Sequence, residues 1–308
     1  MTVEPGGYVW WYLDAMSDDG AHGLTVIAFI GSVFSPYYAR ARRRGAADPA
    51  NHCALNVALY GPRGKRWSMT ERGAEALDRG DDWLAIGPSN LSWDQTGLTV
   101  TINEIAVPVP RRIRGTVRLR PSAVETRVLA LDSSGLHRWR PIAPCAEIEV
   151  TLTSPALSWR GRAYFDTNSG GRALEDDFRR WTWSRAAVPG GTAVLYDVTP
   201  WPPGPFRQLA MRYDMMGGVA DLPPLAAAAL PRTRWGIERS ISARQGCLPK
   251  VLSTLEDTPF YARSIVETRL AETTVTAVHE SLSLERFRAP WVQAMLPFRM
   301  PRARGMPK

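Results

Sequence analysis

Lysine is nearly absent from this chain. Only Lys65, Lys250 and Lys308 occur, so arginine carries almost all of the positive charge behind a formal net charge of +8. The arginines are scattered, with local clusters at 40–44 and 111–114. No basic helix, zinc-finger spacing or single-strand-binding signature accompanies them, so nucleic acid is not an expected partner. A basic surface without those motifs suits anionic lipid headgroups better. Cysteine is sparse too. Cys53, Cys145 and Cys247 are far apart and odd in number, which argues against a disulfide scaffold and for a reducing compartment. Their spacing does not match a Cys/His metal site either. The longest apolar stretch, 23–34, reaches about half way across a bilayer. Residues 1–22 lack a basic segment followed by an apolar one, so no signal peptide is expected. There is no GxGxxG or phosphate loop, which removes nucleotide-binding folds. Ser32 and Ser35 lack the GxSxG elbow of a serine nucleophile.

Tryptophan, proline and glycine are plentiful. Twelve tryptophans suggest an aromatic-lined cavity as well as aromatic core packing, and 25 prolines with 25 glycines break the chain into short apolar runs. That punctuation favours strands and turns over helices. Segments 8–14 and 24–34 read as strands joined by a polar turn at 17–20, and 31–38 as a loop closing the second. Strands are expected at 52–60, 84–93, 98–107 and 112–121, in an antiparallel meander. Later strands fall at 148–152, 157–165, 192–198, 235–242, 261–272 and 274–283. The Pro/Ala-rich link at 220–231 marks a soft boundary. It divides an N-terminal β domain (1–219) from a smaller C-terminal one (220–308). The basic tail from Pro297 reads as mobile.

The stretch that organises the chain is SWRGRAYFDTNSGGRALEDDFRRWTWSR, residues 158–185. Tyr164 and Asp166 are two apart on a strand and share a face. Burial of Asp166 among aromatics, without a positive partner, favours its protonated form and makes it a proton donor. His137 and Trp139, in LHRWRPIAP, have the same spacing. Two neighbouring strands would project all four side chains into one pocket. Asp197 and Asp214 each follow a tyrosine and are alternative acids, with strand-end salt bridging the simpler role. His279 reads as structural.

Three segments, IAFIGSVFSPYYARARRRG, LHRWRPIAP and GRAYFDTNSGGRALEDDFRRWTWSRA, resemble those of the bacterial carotenoid 1,2-hydratases, or hydroxyneurosporene synthases. The resemblance runs from Tyr8 to about Phe298. It implies an all-β fold of two lipocalin-like antiparallel barrel or sandwich domains, and addition of water to the terminal C1–C2 double bond of acyclic carotenes such as neurosporene and lycopene. It implies no cofactor and no metal. The family's His-x-Trp and Tyr-x-Asp pairs match His137, Trp139, Tyr164 and Asp166. Two other readings keep many of these features: a related lipocalin-like terpenoid cyclase or isomerase, and a non-catalytic carrier of hydrophobic ligands. A carotene dissolves in lipid, so the expected location is the bacterial cytoplasm, peripherally associated with the inner or intracytoplasmic membrane. The apolar segment 291–298 is a candidate membrane contact, and equally a candidate for packing against the body.

Overall fold

The computed structural model describes residues 2–303. They divide into two compact units: one comprises residues up to Ala173 together with those from Ala294 onward, the other Leu174–Gln293. The sequence placed the boundary at 219/220 instead. The Pro/Ala-rich link is no linker, because its residues pair as short strands inside the second unit.

The first unit is built on twelve strands: β1 (Tyr8–Ser17), β2 (Gly23–Ile30), β3 (Cys53–Tyr60), β4 (Arg66–Arg72), β5 (Leu77–Arg79), β6 (Trp83–Ile86), β7 (Ser89–Asp94), β8 (Gly97–Ile105), β9 (Arg112–Pro121), β10 (Leu129–Ala130), β11 (His137–Ser154) and β12 (Ala156–Gly170). They form one antiparallel sheet in the order β4-β3-β2-β1-β12-β11-β9-β8-β7-β6-β5, with β10 beside β11. The sheet curls until β4 meets the β8–β9 region. The Val107 N–H donates to the Trp67 carbonyl at 2.8 Å, and Arg72 Nη2 to Glu104 Oε2 at 2.7 Å. Burial pushes the Glu104 carboxyl up, opposed by Arg72 and Ser89.

Sequence alternation decides what each strand buries. In β8, Leu98, Val100, Ile102 and Glu104 are buried and the residues between them are not, the pattern of a strand with one face in water. In β1 and β3 nearly every residue is buried, so those strands are covered on both faces. One of these faces joins an aliphatic core: Val9, Leu13, Val26, Leu55, Val100, Val117, Ile148 and Phe165 belong to it. The opposite face carries the aromatic and polar residues described below.

A short helix, α1 (Pro36–Arg42), replaces the expected loop at 31–38. Ser35 caps it by accepting from the Tyr37 and Tyr38 N–H groups, both at 3.1 Å. Ser before Pro at the first helical position is a helix-start signal. The tail is not loose as far as Ala303. Glu71 N–H donates to Pro301 O and Ala303 N–H to Glu71 O, both at 2.9 Å, while Arg302 pairs with the buried Glu71 carboxylate. The edge strand β4 is thus paired by backbone bonds and a buried ion pair.

The second unit holds β13 (Phe178–Val188), β14 (Gly191–Pro200), β15 (Arg207–Asp214), β16 (Val219–Asp221), β17 (Ala226–Leu230), β18 (Arg239–Ala243), β19 (Lys250–Asp257), β20 (Tyr261–Leu270) and β21 (Thr273–Ser283). Its main sheet runs β16-β15-β14-β13-β21-β20-β19, with β17–β18 as a separate hairpin. His279 lies fully buried on β21, 2.8 Å from Ser184 Oγ and 2.9 Å from Ser281 Oγ. This agrees with its expected structural role. Among the described residues, no helix is long and apolar enough to cross a membrane.

Two stability experiments follow from these buried charges. Removing one partner of the Arg72–Glu104 pair leaves the other buried and uncompensated. Glu104→Ala should therefore cost about 3–5 kcal/mol in urea unfolding, and Arg72→Met with Glu104→Leu together far less. Burial holds the His279 imidazole down at about 3, so the unfolded chain binds a proton that the folded chain refuses. Its contribution is complete above about pH 6.5 and lost as pH falls toward 3, at up to about 1.4 kcal/mol per pH unit. His279→Gln should flatten that acid limb of the stability curve.

Candidate active site

The aromatic face of the first sheet is built by β11, β12 and β1, which lie side by side. Register places Tyr12 opposite Asp166, Asp14 opposite Tyr164, Trp10 opposite Asn168 and Tyr8 opposite Gly170. On the other side of β12, Trp139 faces Asn168 and His137 faces Gly170. His137, Trp139 and Tyr164 are fully buried, and Asp166 is 2% exposed. The structure therefore brings all four residues expected from sequence onto one buried face.

Two bulges shape this stretch of β11. Between the Arg140–Thr167 and Ala143–Phe165 pairs, and again between Ala143–Phe165 and Ala146–Ala163, β11 carries one residue more than β12. Each extra residue reverses the facing of what precedes it, so the two reversals cancel. Ala143 joins Ala146 and Ile148 in the core, while Trp139 and His137 face the other way, where plain alternation from Ile148 also puts them. The start of the strand is fixed separately, by Asp132 Oδ1 accepting from the His137 N–H at 2.8 Å.

Within the face, three side chains close on one another. Trp139 Nε1–H donates to Asp166 Oδ2 at 2.8 Å, and the Tyr164 hydroxyl donates to the same oxygen at 2.6 Å. Trp139 Nε1 also lies 3.1 Å from the Tyr164 hydroxyl. Tyr12 meets Tyr164 edge to face at 6.3 Å. His137 engages a different partner, with Nδ1 2.9 Å from the Tyr8 hydroxyl. The Tyr8 ring in turn stacks on Trp10 at 5.0 Å. The arrangement offers a carboxyl group with two donors on one oxygen and π-faces around it, and an imidazole further along the same face, opposite Gly170. Among the described residues, no three His, Cys, Asp or Glu side chains are grouped as metal ligands.

The family model described as carotenoid hydratase CrtC matches residues 26–308. The chain belongs to this family. It is 57% identical over 306 residues to the acyclic carotenoid 1,2-hydratase of Thiocapsa roseopersicina, covering 99% of this chain and 75% of that protein. The Rubrivivax gelatinosus enzyme of the same name is 51% identical, covering 97% and 74%. The Cereibacter sphaeroides one is 43% identical, covering 91% and 99%. Solved structures add the fold. An AttH protein of Nitrosomonas europaea aligns with a TM-score of 0.63 at 13% identity, covering 90% of this chain and 92% of its own. Kievitone hydratase from Nectria haematococca aligns at 0.57 and 9%, covering 92% and 90%. The lipocalin-like all-β expectation holds.

One expectation changes. The sequence suggested an aromatic-lined cavity and placed Asp166 among aromatics. In this carotenoid hydratase family member the large core cluster is mostly aliphatic, with Phe165 stacked on Trp93, and Asp166 with its aromatic partners lies on the sheet's other face. The residues that sequence reading missed are on β1: Tyr8, Trp10, Tyr12 and Asp14 alternate toward Asp166. Their spacing of two is visible in YVWWYLD, but Trp11 between them disguises it as a uniformly aromatic run. Gly170 was missed as well. A Cβ there would lie 2.5 Å from the Tyr8 ring and 2.7 Å from His137 Nδ1, so only glycine lets the two rings meet. Gly170→Ala should part them and slow carotenoid hydration by about a hundredfold, with a stability loss of about 1–3 kcal/mol. Turnover and thermal unfolding of the purified variant check both.

Proposed function

We propose that the protein hydrates the terminal C1–C2 double bond of an acyclic carotene such as neurosporene or lycopene, by acid catalysis through a tertiary carbocation, without a cofactor. The observation that carries this reading is the pair of donors on a single oxygen of a buried carboxyl group. With Trp139 and Tyr164 both donating to Asp166 Oδ2, that oxygen plays the carbonyl part and Oδ1 carries the proton. Asp14, opposite Tyr164 on the same face, adds a second carboxyl group, and two neighbouring carboxylates disfavour each other's charge. Burial and the second carboxyl group suit an acid that holds its proton until an alkene arrives, while the donors on Oδ2 favour its release.

Asp166 Oδ1 gives its proton to C2, the π-electrons of the double bond form the new C–H bond, and C1 becomes a tertiary cation. The two hydrogen bonds on Oδ2 then stabilise the carboxylate left behind. They are in place beforehand and need no reorganisation. The faces of Trp139, Tyr164 and Tyr12 stabilise the cation, at roughly 2 kcal/mol for a desolvated ring. Water attacks C1, and its surplus proton passes to His137 and back to Asp166, restoring the acid. In this step Nδ1–H of His137 donates to the Tyr8 hydroxyl, which places the basic lone pair on Nε2.

The substrate's home is the bilayer, and peripheral membrane contact belongs to the same proposal. Trp291 and Phe298 are 45% and 77% exposed, in a segment whose Val292 and Leu296 are buried. That pattern supplies both packing and an apolar outer surface.

Expression in a lycopene-producing host, followed by mass spectrometry of the pigments, tests the chemistry. The parent should add one or two waters. Asp166→Asn should lose about 10²–10⁴-fold in rate, and Tyr164→Phe about 10²-fold. A rearranged product of unchanged mass, or full hydration by Asp166→Asn, defeats the proposal.

A further inference from the structure

The second unit has a polar site of its own, with no residue in common with the one above. On β13, β14 and β21, one shared face begins apolar, with Ala186, Ala193, Leu195 and Ala277 in a hydrophobic core. Two residues further along, the same face turns polar. Thr182 stands opposite both Asp197 and Ser281, and Arg180 opposite both Thr199 and Ser283. A cavity of about 610 Å³ opens over this end, closed in part by the β17–β18 hairpin through Ala227, Ala229, Arg239 and Ser240. Its size falls within the usual range for small-molecule sites.

Asp197 is its most informative wall. The residue is 9% exposed. Ser242 Oγ donates to Oδ2 at 2.6 Å and is itself held by Gln208 Nε2 at 2.7 Å. Thr182 Oγ1 reaches the same oxygen at 3.5 Å. Oδ1 is buried and has no hydrogen-bond partner within the protein. Burial pushes the carboxyl up to about 6, against the Ser242 and Thr182 hydroxyls and the Gln208 amide. An unmet buried carboxyl oxygen is costly, and here it lines a cavity large enough for the missing donor.

The rest of the lining selects for charge. Five arginines, at 179, 180, 232, 239 and 286, outnumber Asp197, Glu238 and Glu285. Arg180 and Arg232 both pair with the single Glu238 carboxylate, so one guanidinium charge there is not neutralised. Arg179 Nε is buried without an acceptor. An ammonium ligand is disfavoured by this excess. A hydroxyl group is the donor that fits Oδ1, and an anion with several oxygens fits converging guanidinium groups.

We propose that this cavity binds a polyol phosphate, with a ligand hydroxyl donating to Asp197 Oδ1 and the phosphate held by Arg179, Arg180 and Arg232. The same chemistry exists in soluble metabolites and in the phosphoglycerol headgroup of an anionic lipid.

Calorimetric titration of the full chain with sn-glycerol 3-phosphate tests it, beside inorganic phosphate and glycerol as separate probes. One site per chain is expected, at about millimolar affinity or tighter, with both partial probes weaker. Asp197→Asn and Arg180→Gln should each weaken glycerol 3-phosphate binding by about tenfold or more, with unchanged thermal unfolding showing that the variants fold. Co-sedimentation with phosphatidylglycerol vesicles, against phosphatidylcholine vesicles, separates the sources. Arg180-dependent binding that glycerol 3-phosphate displaces identifies the lipid headgroup, and saturable calorimetric binding without sedimentation identifies a soluble ligand. No heat with glycerol 3-phosphate overturns the proposal. So does phosphate binding as tightly as glycerol 3-phosphate with no response to Asp197→Asn, since the site would then be an anion site only.

Discussion

A carboxyl group can be kept inside a sheet only if its oxygens are met, and how they are met decides what the group can do. Asp166 Oδ2 receives an indole N–H and a phenol O–H from side chains that are themselves fully buried. These donors come from two strands, β11 and β12, so the local register of the sheet and the chemistry of the acid are one constraint. Moving either strand by one residue would replace Trp139 with Arg138 or Arg140, or Tyr164 with Ala163 or Phe165, and remove the donor. The site's geometry is therefore as rigid as the sheet that carries it.

The aliphatic core and the aromatic site divide the work between the two faces of the same strands. In β1, Val9, Leu13 and Ala15 join the core, while Tyr8, Trp10, Tyr12 and Asp14 build the site. Each residue of core packing thus alternates with a residue of chemistry, and the hydrophobic burial that stabilises the barrel also fixes the site's positions. Two bulges in β11, on either side of Ala143, turn that residue into the core without changing the facing of Trp139 relative to Ile148. A single strand thus serves the core along most of its length and the site at its beginning.

Much of this was legible in the sequence, for identifiable reasons. The Tyr-x-Asp and His-x-Trp spacings reveal shared faces because the period of a strand is two, and the long motif around Asp166 carries the family. Strand-and-turn punctuation gave the all-β class. The two bulges were not legible, although Pro141 and Pro144 lie in them and proline inside a sheet favours bulges, because an extra residue exists only relative to a partner strand. Gly170 was not legible either, since its reason is the approach of Tyr8 from 162 positions earlier in the sequence. The domain boundary was misjudged because proline and alanine suggest a linker, whereas Ala226–Leu230 pairs with Arg239–Ala243 residue by residue. Helix α1 lies in the segment that reads as a loop at 31–38, although Ser35-Pro36 is a helix-start signal, because a proline just after a strand marks a turn as readily as a helix.

Asp166 and Asp197 show how one residue type is turned to different ends by its neighbours. Both are buried on strands, and both have a hydroxyl donor 2.6 Å from one carboxyl oxygen. Around Asp166 the further partners are aromatic rings, which have no mobile charge to offer a polar ligand but attract a developing cation. Around Asp197 they are hydroxyl and amide side chains, in a cavity whose five arginines would repel a cation. As proposed, a carbocation would be stabilised at the first carboxyl group and a hydroxylated anion would find its partners at the second. The difference lies in the donors that surround each carboxyl group, Trp139 and Tyr164 at Asp166 and Ser242 and Thr182 at Asp197, so the neighbouring side chains and not the residue type define what each can do.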